Sequence, residues 1–371
     1  MAFATAHRIT AAAKYIVNHD IMHCTAEGVV GNHLYSGRAL GITEPYDTIQ
    51  IAEPLKPLWN SISEHYDRVG LRHTSDVIWN VDMQELGKYI GMHPSVFFFG
   101  AQQYLNWGDN EWVSVVDYIN SKNNFIELAS QLGVRVPMTL TFGNVSEIDD
   151  KTIEQSVYPC YLKAAVSVSG VGIYRCVDQQ ELRVAIAKFE ADVPVQIQEE
   201  IQARTFLNMQ YKIDNGFAIR LACSEQLLDG FVHQGNTFPA CCEPWDEVEP
   251  MALWLAERGM KGIFAFDVAV IDKPDGVSFA AIECNPRYNG ASYPTIIAQK
   301  LGIRQWTAKT YTTHYRSLDD IFIQHIEYSK KSGRGVVVVN WGTVLEGKLM
   351  VLLAGNDEQQ RYFDTELQAC L

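Results

Sequence analysis

The chain has 371 residues, of which 47% are hydrophobic and 11% aromatic, enough for a folded protein of two or three subdomains. A formal net charge of −14 argues against nucleic acid or an anionic membrane as the main partner, and no apolar run reaches bilayer length. No charged start leads into an apolar segment of the kind that directs secretion, so the expected location is cytoplasmic.

Up to about Val115 the chain mixes strand-like runs, Val77 to Val81 and Ser95 to Phe99, with helix-like ones, Ile9 to Val17 and Pro57 to Tyr66. That pattern suits a small α/β layer. No Gly-x-Gly-x-x-Gly follows a strand, and Gly28-Val29-Val30-Gly31-Asn32 is too slight to serve as a dinucleotide fingerprint. His19, His23 and His33 lie close together without a carboxylate framework, so packing or surface positions are expected for them. Trp59, Trp79, Trp107 and Trp112 are expected in the core or between domains.

Lys122 opens an amphipathic helix in which Phe125, Leu128, Ala129 and Leu132 share a face, ended by Gly133. Alone, this lysine is equally a solvent-facing residue of a first helical turn. Val157 to Lys163 reads as a strand, followed by Ser167-Val168-Ser169-Gly170-Val171-Gly172 and a second β-rich run, Ile173 to Val177. Gly and Ser allow close backbone approach and offer donors, so this loop can fold over polyphosphate, with Lys163 adding a compact charge. An ordinary hairpin with a surface lysine has the same outline. Val195 to Ile201 alternates as a strand running into a linker. From Arg220 an alternating strand enters a polar, glycine-bearing segment that ends at Pro239, for which a surface loop is the plain alternative.

Phe264 to Gly290 is the most informative stretch. Two apolar-rich segments flank Asp272-Lys273-Pro274-Asp275-Gly276, a turn-forming cluster, which predicts a β-hairpin. Folding about Asp275 sets Asp267 opposite Glu283, and alternation puts Asn285 and Arg287 on the same face. Phe264, Phe266, Val268, Val270, Ala280 and Ile282 are then expected on the core face. Two carboxylates, an amide oxygen and a guanidinium suit Mg²⁺ or Mn²⁺ held between protein and phosphates, with the arginine on a transferring phosphoryl group. Beyond the hairpin, Tyr293 to Leu301 reads as a helix over the site. Gly335 to Gly342 and Lys348 to Leu353 read as a strand pair added to the second lobe, and Glu358 to Leu367 as a closing helix. The eight cysteines include no Cys-x-x-Cys pair, which fits free thiols better than disulfides or zinc.

Taken in order, these segments resemble the ATP-grasp superfamily. The resemblance implies an α/β protein in which two α+β lobes grip ATP behind a Rossmann-like α/β domain, divided as 1–118, 119–205 and 206–371. It implies Asp267 and Glu283 as a metal-binding acid pair, Asn285 as a further ligand, and Arg287 beside the γ-phosphate. Lys122 and Lys163 become nucleotide-binding lysines, and Ser169, Gly170 and Gly172 a phosphate loop, less glycine-rich than that of biotin carboxylase. Glu199 aligns best with the acid at the start of the adenine linker, with Glu200 as fallback and Ile201 following. Gln226 to Pro239 resembles the peptide-ligase branch, which places Gln226, His233 and Asn236 along the cleft. Arg220 and Asn289 are further substrate candidates, Arg220 having solvent across the strand as its alternative.

The implied activity is amide or peptide bond formation between a small carboxylate and an amine, such as an amino acid or short peptide. It runs through an acylphosphate, with ATP and Mg²⁺ as cofactors and Arg287, Lys163 and Asn285 in catalytic roles. A homodimer is compatible with this reading. A kinase for a small-molecule hydroxyl and a non-catalytic nucleotide-binding scaffold are the alternatives. Carboxylation is less favoured, because no Met-Lys-Met biotin-carrier signature is present.

Overall fold

The computed structural model describes residues 13–25, 30–84, 89, 91–167, 172–230 and 232–371. Three sheets organise them. The first is parallel: β1 (Tyr15–Asn18), β2 (Thr48–Gln50), β3 (Val77–Ile78) and β4 (His93–Val96), in the order β3-β2-β1-β4. Part of the helix-like run Ile9 to Val17 is thus a strand at its end, and residues 9–12 lie outside the described residues. The reason is local. Alanines at 11–13 suggest a helix, but Tyr-Ile-Val is a strand-forming run, and Ile16 and Val17 are buried on opposite faces of a central strand.

The second sheet is antiparallel, with β5 (Thr139–Phe142), β6 (Cys160–Ala164), β7 (Ile173–Cys176) and β8 (Val195–Glu199) in the order β5-β8-β6-β7. Cys160, Leu162, Cys176, Val195 and Ile197 bury one of its faces against Leu182 and Ala185 of the helix Gln179–Ile186. The third sheet has eight antiparallel strands: β9 (Thr205–Asp214), β10 (Phe217–Asp229), β11 (Val232–Phe238), β12 (Ile263–Lys273), β13 (Gly276–Asn285), β14 (Trp306–Thr312), β15 (Gly335–Asn340) and β16 (Lys348–Ala354). Their order is β13-β12-β9-β10-β11-β14-β16-β15.

Each half of this sheet has its own core. Phe264, Phe266, Val268 and Val270 pack on Val115, Val116, Phe125, Leu128, Met251 and Leu255 from three helices. At the other end, Val336 to Val339 and Leu349 to Leu353 share a core with Leu40, Ile49, Ile62 and Tyr66 of the leading layer. The strand pair and helix expected at the C-terminus therefore join the large sheet and also carry the parallel layer. Among the described residues no helix is long and apolar enough to cross a membrane.

The alternating strand from Arg220 and the polar segment after it form the hairpin β10–β11, not the surface loop that is the plain alternative. Its polar residues lie along a cleft-facing strand surface, so the low hydrophobicity that suggests a loop has another cause.

Hairpin β12–β13 turns on Pro274 and Asp275, with Lys273 paired to Gly276. A uniform ladder from that two-residue turn would set Asp267 against Ile282. A β-bulge intervenes: Val268 pairs with Ala281, Asp267 with Glu283, and Ile282 is the extra residue. The turn, centred half a residue earlier than Asp275, moves Ala280 and Ile282 off the expected core face, and the bulge returns Glu283 to Asp267. Both cluster with Ala269, Ile271, Ile201, Ala203 and Phe206, while Ala281 and Cys284 join the core. Period-2 counting has no means of registering one inserted residue.

Candidate active site

The acid pair sits where the large sheet faces the small one. Asp267 accepts hydrogen bonds from Asn208 Nδ2 at 2.8 Å and Gln226 Nε2 at 2.7 Å on one oxygen, and from Asn285 Nδ2 at 3.0 Å on the other. Glu283 forms an ion pair with Lys122 Nζ at 3.1 Å. Lys122 is positioned by its helix: Ser121 caps the N-terminus through Asn124 N, and the Lys122 amide donates to Ala165 O at 2.7 Å. Its ammonium also donates to Ser167 Oγ at 3.1 Å, which ties the helix start to the near end of the small-residue loop. Ser169 and Gly170 lie outside the described residues, and Gly172 adopts φ +77°, a left-handed conformation suited to glycine.

Simple electrostatics decides which acid stays charged. Facing side chains in a sheet are about 5 Å apart, so two carboxylates repel by roughly 3 kcal/mol at an effective dielectric constant of 20. The Lys122 ammonium attracts Glu283 by roughly 5 kcal/mol on the same scale. Burial alone would raise Glu283, but Lys122 and then Lys163 outweigh it, and its pKa falls below the ordinary value. Asp267 moves the other way, raised by burial and then by the Glu283 charge. The pair is therefore primed for a cation that allows both to ionise.

Lys163 lies on β6, and its Nζ donates to Gln198 Oε1 at 2.6 Å. Burial pulls its pKa down to about 8, against the opposing pull of Glu283. Gln198 in turn donates to Thr139 Oγ1 at 3.0 Å. Of the two linker acids, Glu199 accepts from Met138 N at 2.8 Å. Glu200 takes a bidentate ion pair from Arg175 at 2.6 and 2.8 Å and a hydrogen bond from Tyr161 at 2.5 Å. Arg175 holds the Glu200 carboxyl down to about 2. Ile201 follows and packs in the apolar cluster beside Phe206 and Ile282.

The polar row continues across β10 and β11. Asn236 Nδ2 donates to Ser224 Oγ at 3.1 Å, and His233 Nε2 lies 2.6 Å from Asn236 Oδ1. Any Cβ on Gly290 would meet the His233 ring at 2.6 Å, so glycine there permits the approach. Asn289 is buried, its Oδ1 accepting from Ala291 N at 2.9 Å. Arg287 lies over the Phe97 ring at 5.5 Å and borders a cavity of about 670 Å³, with Trp107, Trp112, Ile263 and Tyr288 among its apolar lining.

Arg220 stands apart. It is bound to Glu249 at 2.6 Å and Asp246 at 2.8 Å, over the Trp245 ring on the core side of the sheet. The structure does not bring it to the cluster, because β10 alternation from Ser224 and the bulge beyond Arg220 turn it to the side of Tyr211.

Asn208 and Gln198 belong to the cluster, and the sequence reading assigns neither of them a role. A signal existed: Asn208 with Gln210, and Gln196 with Gln198, are amide pairs at period 2 within otherwise apolar strands. Among the described residues, Asn208 Oδ1, both polar atoms of Gln196 and Asn289 Nδ2 are buried without a partner. Such atoms call for a partner, and those of Asn208 and Gln196 border the cluster, whereas Tyr66 Oη and Trp341 Nε1, also without one, lie in the core. For Mg²⁺ the donor set fits: two carboxylates and the amide oxygens of Asn285 and Asn208, all hard ligands.

No protein-family model and no curated protein sequence matches this chain. Solved structures do. N5-carboxyaminoimidazole synthetase from Staphylococcus aureus, complexed with ADP, matches with a TM-score of 0.62 at 12% identity over 96% of each chain. Carboxyaminoimidazole ribonucleotide synthase from Aspergillus clavatus, complexed with ATP, gives 0.60 at 12% identity over 96% of this chain and 98% of that one. An L-amino acid ligase from Bacillus licheniformis gives 0.56 at 12% identity, over 96% and 97%. These neighbours are ATP-grasp proteins, and the chain has the ATP-grasp fold.

Proposed function

We propose that this protein is an ATP-dependent carboxylate–amine ligase that joins an amino acid or short peptide to an amine through an acylphosphate. The observation that supports it best is the single cluster of Lys122, Lys163, Asp267, Glu283 and Asn285 between the two antiparallel sheets. Charges of both signs meet there, as a metal-bound polyphosphate requires. The apolar cluster of Ile201, Phe206 and Ile282 beside the linker suits an adenine ring, and the cavity next to Arg287 has room for small organic substrates.

In this reading Lys122 and Lys163 bind the phosphates. Asp267, Glu283 and Asn285 would hold Mg²⁺, which when bound supplies neutralisation of β- and γ-phosphate oxygens. A carboxylate oxygen of the donor attacks the γ-phosphorus. The bond from that phosphorus to the β,γ-bridging oxygen breaks, its electron pair leaving with ADP. The amine nitrogen then attacks the acyl carbon, phosphate departs with the electron pair of the broken C–O bond, and the nitrogen loses a proton. Arg287 faces the charge that develops on the phosphoryl group and then on the oxyanion.

Hydroxylamine trapping tests the reading. With ATP, Mg²⁺ and each of the twenty L-amino acids as donor, but no amine substrate, a hydroxamate is expected for at least one donor. A stable phosphorylated hydroxyl compound, with no hydroxamate from any donor, would make the protein a kinase.

A further inference from the structure

Arg38 has an arrangement that no other described arginine shares. It is 6% exposed, on the run Asn32–Ile42, with its guanidinium carbon 4.7 Å from the Tyr35 ring, 4.8 Å from Phe97 and 4.4 Å from Tyr293. Its Nε and Nη2 are buried, and no described residue accepts from them.

Those two nitrogens form the edge that matches both oxygens of a carboxylate. Among the described residues that edge is used three times elsewhere. Arg68 grips Glu327 with it at 2.8 and 2.8 Å, Arg175 grips Glu200 at 2.6 and 2.8 Å, and Arg220 grips Glu249 at 3.1 and 2.6 Å. The side chains of these three are about 40% exposed. The arginine with least access to water thus lacks, among the described residues, the partner that the exposed ones have. A buried guanidinium without an anion is costly unless the site is made to receive one.

Its surroundings agree. His19, 2.8 Å from Tyr293 Oη, is kept neutral by burial and by Arg38. The second charge nearby is also positive, because Arg287 lies on the same Phe97 ring at 5.5 Å. By way of that ring the two guanidinium carbons are within roughly 10 Å of each other, a span that one amino-acid residue and its contacts cover.

We infer that the Nε and Nη2 edge of Arg38 anchors the spectator carboxylate of the amine substrate, which is therefore an α-amino acid or a peptide. The inference rests on the ligase reading. A carboxylate held by both oxygens is poorly disposed to attack phosphorus, so Arg38 serves the acceptor and Arg287 the transferred group. No covalent step is added to the mechanism.

The test uses the full chain and separates the two half-reactions. Hydroxamate formation from the twenty L-amino acids reports donor activation. Dipeptide formation with the same amino acids, or with their α-carboxamides, as acceptors reports anchoring. Arg38→Gln is expected to leave hydroxamate formation and ATP affinity within about twofold of wild type, while KM for the acceptor acid rises about 30-fold or more. Arg38→Lys keeps the charge without the paired donors and is expected to fall between. In wild type the carboxamide acceptor is expected to show the same loss, with no further loss in Arg38→Gln.

Equal use of acid and carboxamide by wild type would overturn the proposal, as would an Arg38→Gln variant with unchanged acceptor KM and only a lower melting temperature. A parallel loss of hydroxamate in Arg38→Gln would move Arg38 to the donor and also overturn it. Absence of hydroxamate in wild type would remove the ligase reading and this inference with it.

Discussion

Replacing Glu283 by Gln, or Asp267 by Asn, is expected to lower ADP formation by about 10²- to 10³-fold while the protein still folds, the size of effect seen when a preorganised charge-stabilising group is lost. The two variants should differ in metal-free stability. Glu283 is the counter-ion of Lys122, so Gln leaves a buried ammonium unpaired and lowers the melting temperature. Asp267 has a pKa raised by burial and by Glu283. A carboxylate raised in the folded state favours folding only while protonated, and that advantage is lost as pH rises through the folded value. Asp267→Asn should therefore melt above wild type at pH 8.5 without metal, and the gap should narrow at pH 5.5. Added Mg²⁺ should stabilise wild type more than either variant when ATP is present. Turnover near wild type in both variants at saturating Mg²⁺ would remove the acid pair from the chemistry.

Lys163→Ala is expected to raise KM for ATP and to lower kcat, each by about tenfold or more, because a lysine on the phosphates acts in both ground and transition states. Its pKa near 8 adds a pH signature. In the free protein the ammonium loses its proton as pH rises through about 8, so kcat/KM for ATP should fall on that limb. The limb should shift out of range in Lys163→Arg, whose guanidinium stays charged. Unchanged kinetics with altered thermal stability alone would make Lys163 a packing residue.

How much of this was legible in the sequence depends on how local the signal is. Lys122 at a capped helix start and Lys163 in a strand ahead of a small-residue loop follow from neighbours within a few residues, and the structure puts both beside Glu283. The facing of Asp267 and Glu283 was anticipated by folding about Asp275. The structure achieves it differently, with a turn centred between Pro274 and Asp275 and a bulge at Ile282 that restores the pairing. Asn208 escaped notice because its role needs β9 beside β12, a pairing made across some sixty residues of chain. Arg38 is less legible still. Its meaning lies in three rings from separate parts of the chain and in an absent partner, neither of which leaves a pattern in the residues around it.

The central claim, that a substrate carboxylate takes the γ-phosphoryl group, is tested most directly by an isotope label. With a donor carrying ¹⁸O in both carboxylate oxygens, together with ATP, Mg²⁺ and the amine, the released phosphate should contain one ¹⁸O. That atom can reach phosphate only through an acylphosphate whose C–O bond breaks when the amine attacks. Released phosphate with no label from the donor, and ¹⁸O entering from labelled water instead, would contradict the account.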